Sequence, residues 1–110
     1  MLKKQNRLGV IIRTKENKLF TSPLFNVRIS DNKENKLRFA FIVSKKIDKR
    51  AVVRNKTKRI LRIAAEKIIS VVEADKDVII IAKKTLLPEQ VGEVTAEMEV
   101  IFKNAGIMNS

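Results

Sequence analysis

The sequence predicts an α+β fold, with helices packed on a small, mostly antiparallel sheet. Three observations carry that expectation. Apolar residues alternate with polar ones at 24–30 and 37–44, which is the period of half-buried strands. From about Lys49 to Val72 the period lengthens to that of a helix. Val78-Ile79-Ile80-Ile81-Ala82 is a short, unbroken, β-branched run suited to a strand buried on both faces.

Residues 1–18 are basic and polar around Val10-Ile11-Ile12 and predict one short helix, broken by Ser22-Pro23. In the first strand, Leu24 to Ser30, Phe25, Val27 and Ile29 share one face, with Asn26, Arg28 and Ser30 on the other. Asp31 to Lys36 is a polar turn. Leu37 to Ser44 then gives a second strand with Leu37, Phe39, Phe41 and Val43 on one face, and the two strands read as an antiparallel hairpin.

Along the long helix, Val53, Ile60, Ala64, Ile68 and Val71 cluster on one side, and Arg54, Asn55, Lys58, Arg59 and Arg62 fall on the other. Arg54, Lys58 and Arg62 stand at i, i+4 and i+8 and form one ridge, whose like charges repel unless an anion binds there. After the turn Glu73–Asp77 and the apolar strand, Pro88 suits a first helical turn. Val91, Val94, Met98 and Ile101 follow at amphipathic spacing. The outer face of this last helix carries Glu89, Glu93, Glu97 and Glu99, so it is expected to point away from any polyanion.

The 110 residues suffice for one domain, residues 1–110, with one core. The net charge of +12 is concentrated: residues 1–62 hold 19 Lys/Arg against 4 Asp/Glu, and residues 63–110 hold 5 against 8. One basic half on a small domain is the footprint of a nucleic-acid binder. Ser44 to Arg62 alone contains nine basic residues and one acid. A solvated helix face and a membrane-surface helix compete with that reading. The charge is one-signed, however, and the core claims the apolar stripe that a membrane would need.

There is no Cys and no His, which removes thiol nucleophiles, disulfides, the usual zinc ligands and the commonest general base. This composition fits a cytoplasmic protein. No apolar run is long enough to span a bilayer, and no paired carboxylates, nucleophile or Gly-rich phosphate loop emerge. The strand face of Asn26, Arg28, Ala40 and Ile42 reads either as solvent-facing or as a platform for single-stranded RNA. Phe20 reads either as core or as a stacking ring.

Phe39-Ala40-Phe41-Ile42-Val43-Ser44-Lys45-Lys46, followed by Ala51-Val52-Val53-Arg54-Asn55-Lys56-Thr57-Lys58-Arg59-Ile60-Leu61-Arg62, resembles the bacterial ribonuclease P protein subunit. Asn6-Arg7-Leu8, Ser22-Pro23-Leu24 and Ile79-Ile80-Ile81-Ala82 add to the likeness, which runs from about Lys3 to Phe102. The resemblance implies a sheet of about four strands with a βαβ crossover through the basic helix, similar to a domain of a small-subunit ribosomal protein. The fourth strand would come from around Leu19 to Leu24 or Lys33 to Leu37.

The resemblance also implies an auxiliary role. A catalytic RNA subunit with bound Mg²⁺ cleaves precursor tRNA at its mature 5′ end, and the protein binds that RNA and the 5′ leader. The protein alone is expected to be non-catalytic, to bind no cofactor, to be monomeric without RNA and to have no membrane partner. By matching positions, Lys45, Lys46, Arg54, Asn55, Lys56, Lys58, Arg59 and Arg62 are expected at the RNA. Phe20, Asn26, Arg28, Ala40 and Ile42 are expected at the leader cleft. There are two departures from the family pattern. Val10, Ile11 and Ile12 stand where the family's first helix has Phe, and Lys56 replaces an Arg, keeping charge but losing the planar fork. The rival reading is a structural protein of ribosomal RNA with no processing role.

Overall fold

The computed structural model describes residues 18–31, 37–69 and 76–107. Four strands, β1 (Lys18–Thr21), β2 (Phe25–Asp31), β3 (Arg38–Ile42) and β4 (Lys76–Ala82), form one sheet in the order β1-β2-β4-β3. Helix α1 (Ala51–Ile68) joins β3 to β4, and a short 3₁₀ turn (Pro88–Gln90) leads into α2 (Val91–Asn104). The expected N-terminal helix lies outside the described residues except at Lys18, which belongs to β1. Of the expected turns Asp31–Lys36 and Glu73–Asp77, residues 32–36 and 73–75 lie outside them, whereas Asp31 ends β2 and Lys76 and Asp77 begin β4.

The expected hairpin between the second and third strands is not formed. β4 pairs antiparallel with β2 and parallel with β3, and so lies between them. The physical reason is burial. The continuous run Val78–Ala82 is apolar on both faces, and Val78, Ile79, Ile80 and Ala82 are buried, as suits a strand in the interior of the sheet. Of the two alternating strands, β3 takes the edge of the sheet and β2 lies inside, between β1 and β4. A parallel partner for β3 then requires a crossover connection, which α1 supplies. The fourth strand is the earlier of the two expected candidates, Lys18–Thr21, paired antiparallel with β2.

Ser22 makes the β1–β2 turn: its N–H donates to the Phe25 carbonyl at 2.9 Å and its hydroxyl to the same oxygen at 2.8 Å. β4 is tied to this turn by the Lys83 N–H, which donates to the Leu24 carbonyl at 3.0 Å. The outer strand β3 is fastened by Arg38. Its Nε and Nη2 donate to the two carboxylate oxygens of Asp77 on β4, at 2.8 and 2.9 Å. Asp77 is only 3% exposed, so this planar two-bond pair satisfies a charge that would be costly to bury alone.

Both helices lie on the same side of the sheet. Phe25, Val27, Phe39, Val78 and Ile80 meet Ile60, Leu61 and Ala64 of α1 and Val94, Met98 and Phe102 of α2 in one core. Phe102 packs tilted against Phe39, with ring centroids 6.3 Å apart. The buried side of α1 is Thr57, Ile60, Leu61, Ala64, Ala65 and Ile68. It is therefore rotated toward Leu61 and Ala65 from the stripe the sequence suggested, and Val53 is only half-buried. α2 ends in a Schellman motif. Gly106, at φ 75°, lets the Gly106 and Ile107 amides reach the Lys103 and Phe102 carbonyls, and Ile107 returns to the core.

Candidate nucleic-acid interface

The basic segment begins in the loop after β3. Lys45 and Lys46 are exposed on a turn closed by the Ile47 amide, which donates to the Ser44 carbonyl at 3.0 Å. The loop is then braced by two arginines. Asp48 Oδ1 accepts from the Arg50 amide at 2.8 Å, and its carboxylate also takes the Arg50 guanidinium. That pairing holds the Asp48 carboxyl below its usual value and raises the Arg50 guanidinium. Arg54 reaches back from the first turn of α1. Its Nη1 donates to the Asp48 and Lys49 carbonyls, at 3.1 and 2.8 Å. Part of the Arg54 guanidinium therefore holds the loop in place.

The cations of α1 divide into two tracks. Arg54, Lys58 and Arg62 do form one ridge, but it is half-buried along the flank of the helix rather than outermost. Arg62 Nε is buried without a hydrogen-bond partner. The helix is rotated so that Asn55, Lys56 and Arg59 are the exposed ones. With Val52 and Ile63, Lys56 and Arg59 form a line at i, i+4, i+7 and i+11. All eight residues expected at RNA thus lie in the β3–α1 loop or on α1, with Lys45, Lys46, Asn55, Lys56 and Arg59 exposed and Arg54, Lys58 and Arg62 half-buried.

The strand residues separate into two faces. Across the sheet, Arg28, Ile79 and Ala40 form one row and Asn26, Ile81 and Ile42 the next, on the face opposite the helices. Sequence reasoning missed Ile79 and Ile81, because it paired β2 directly with β3 and left no place for β4 between them. Asn26 Oδ1 is buried on this face without a hydrogen-bond partner. Phe20 is opposite Val27, on the helix-covered face, and packs against the core. It does not join Asn26, Arg28, Ala40 and Ile42, and the core reading of that ring holds.

A groove of about 630 Å³, also unseen in the sequence, runs between α1 and the segment joining β4 to α2. The pair Leu86-Leu87 ahead of Pro88 is its only trace in the sequence. On α2, one oxygen of Glu97 is buried and unpaired at the edge of a second hollow bounded by Phe20 and Pro23. Burial there, reinforced by the neighbouring Glu93, raises the Glu97 carboxyl above its usual value. Among the described residues there is no cluster of His, Cys, Asp or Glu able to hold a metal ion, and no helix long and apolar enough to cross a membrane.

A four-stranded mixed sheet with both helices on one side, and a basic helix bridging its parallel pair, places the molecule among small α+β proteins built like the bacterial RNase P proteins. The family model for ribonuclease P matches residues 2–106, and the chain belongs to the ribonuclease P protein family. Its structure is similar to that of the RNase P protein from Staphylococcus aureus. The TM-score is 0.71 and the identity 27%, over 96% of this chain and 100% of that one. The RNase P protein from Thermotoga maritima is also similar, with a TM-score of 0.69 and 25% identity over 82% of this chain and 84% of that one. No curated protein matches the sequence.

Proposed function

We propose that the chain is the protein subunit of ribonuclease P, binding the catalytic RNA and the 5′ leader of precursor tRNA while the RNA, with its Mg²⁺, breaks the phosphodiester bond. The observation that carries this reading is the concentration of cations, Lys45 and Lys46 in the loop and Arg54, Lys56, Lys58, Arg59 and Arg62 with Asn55 on α1, in a chain of the ribonuclease P family. Each phosphate met by Lys or Arg releases condensed counterions, so these cations supply affinity that falls with salt. The loop braced by Asp48, Arg50 and Arg54 presents Lys45 and Lys46 beside the start of α1, so two segments can grip one RNA.

The leader is assigned to the sheet face opposite the helices. The half-buried Ile81, Ala40 and Ile42, packed around the buried Ile79, offer an apolar floor for bases, and Arg28 and Asn26 line its β2 side. No ring lies on this floor among the described strand residues, so contacts there are aliphatic and ionic.

The test is reconstitution of purified protein with a bacterial ribonuclease P RNA at low Mg²⁺, scoring 5′ maturation of precursor tRNA. Protein and RNA together should cleave where neither does alone. Cleavage by the protein alone would point to a self-sufficient nuclease. Cosedimentation with ribosomes, without any effect on cleavage, would point to a structural ribosomal protein.

A further inference from the structure

The groove between α1 and the β4–α2 segment is a built feature. Its far wall is fixed: the buried Thr57 hydroxyl accepts from the Leu86 amide at 3.2 Å, and the Gln90 side chain accepts from the Leu87 amide at 2.9 Å. These bonds seat Leu86 in the core and leave Leu87 turned outward, 57% exposed, ahead of Pro88. On the near wall, Ile63 is 38% exposed. Lys56 and Arg59 stand above it and make no ion pair with any described residue. Among the described residues no acid lines the groove, and Arg50, which also lines it, is already paired with Asp48. Aliphatic side chains, Ile63 and Leu87 among them, thus share one groove with Lys56 and Arg59, the combination of apolar lining and a few polar groups that a ligand site needs.

We propose that this groove takes one unpaired nucleotide of the RNA partner, its base inserted between Ile63 and Leu87 and its flanking phosphates on Lys56 and Arg59. The proposal rests on the ribonuclease P reading and adds a base-binding pocket to a surface otherwise argued from charge alone. Charge complementarity selects the occupant. Lys56 and Arg59, three residues apart on one helix, are neighbours on its surface and suit successive phosphates of one strand. An RNA held along the same helix presents its bases here at high local concentration. Ile63 and Leu87 offer aliphatic contact, and Thr85 is the one uncharged polar side chain among the described lining residues, so the pocket should discriminate only weakly among bases.

Leu87→Ser and Ile63→Ser, separately and together, leave every charge in place and alter exposed side chains. Far-UV circular dichroism and thermal melts confirm the fold. Affinity for the ribonuclease P RNA is then measured across a salt series. The double variant should bind about tenfold more weakly, the loss expected when the apolar contacts of Ile63 and Leu87 with one base are removed, with an unchanged salt slope. A photo-crosslinker at position 87 should label a nucleotide in an unpaired segment. Unchanged affinity in the double variant, with weakened binding by Lys58→Ala, overturns the pocket and leaves the RNA reading standing. Unchanged affinity in both overturns both. Crosslinking to a second copy of the chain, or only to helical RNA, also overturns the pocket.

Discussion

α1 and α2 lie side by side on one face of one sheet, and each buries an apolar stripe in the same core. Their outer surfaces have opposite charge. α1 carries six basic residues and one Glu, whereas α2 carries three Glu and one Lys. The fold needs the inner stripes and is nearly indifferent to the outer ones. The difference between the two helices therefore reflects what each surface must meet, and it separates stability from binding in a way that experiment can break.

The largest expected effect is common to both helices. Leu61→Ala in α1 and Met98→Ala in α2 each empty a fully buried site, and each should cost about 2–5 kcal/mol in urea unfolding. A large imbalance between them would mean that one helix is an accessory to the core. Next come the outer faces. Reversing Lys56 and Arg59 to Glu should weaken binding to the ribonuclease P RNA by about a hundredfold, roughly 2.8 kcal/mol. Reversing Glu93 and Glu99 to Lys should leave affinity equal or slightly higher. Equal losses from the two pairs would erase the distinction between the helices.

Within α1 the comparison sharpens to two neighbours on one ridge. Arg54→Ala and Lys58→Ala should each lower the salt dependence of binding by somewhat under one unit of slope. Only Arg54→Ala should also loosen the loop, read as faster hydrogen exchange at the Arg50 amide, because only Arg54 holds the Asp48 and Lys49 carbonyls.

The smallest effects are two titrations of opposite sign. The Asp48 carboxyl is held below its ordinary 3.8 by Arg50. The stability it contributes is therefore present above that value and disappears as the pH falls through the lower folded value. The melting temperature of Asp48→Asn should fall below wild type at pH 7 and converge with it in strong acid. The Glu97 carboxyl is held above its ordinary 4.5 by burial and by Glu93. Stability is lost there as the pH rises past 4.5, so Glu97→Gln should melt slightly higher at pH 7 and match wild type below that value.

Faces were legible in the sequence and neighbours were not. Phe25, Val27 and Ile29, and likewise Val94, Met98 and Ile101, announced their buried sides through spacing alone. Spacing cannot say which strand lies beside which, and so the expected hairpin gave way to a sheet with β4 in the middle. The same gap hid Ile79 and Ile81 between the two flanking strands. Thr57 was invisible as a core residue because its hydroxyl reads as polar, yet it is fully buried and bonded to the Leu86 amide. The basic segment was legible as a density of charge. Its split into a half-buried ridge and a projecting line depended on the rotation of α1, which Leu61 and Ala65 set by packing.

The place of β4 also bears on how the chain is made. The strand that joins the two outer parts of the sheet is the last of the four to be synthesised, and α1 precedes it. A nascent chain that has reached only Ile69 contains β3 without the ladder partner that will hold it. Assembly must wait for a distant segment, which slows closure and favours an all-or-none transition. Ribosome-bound chains ending before residue 76 should therefore remain protease-sensitive along their whole length, and those carrying α2 beyond the exit tunnel should become resistant together.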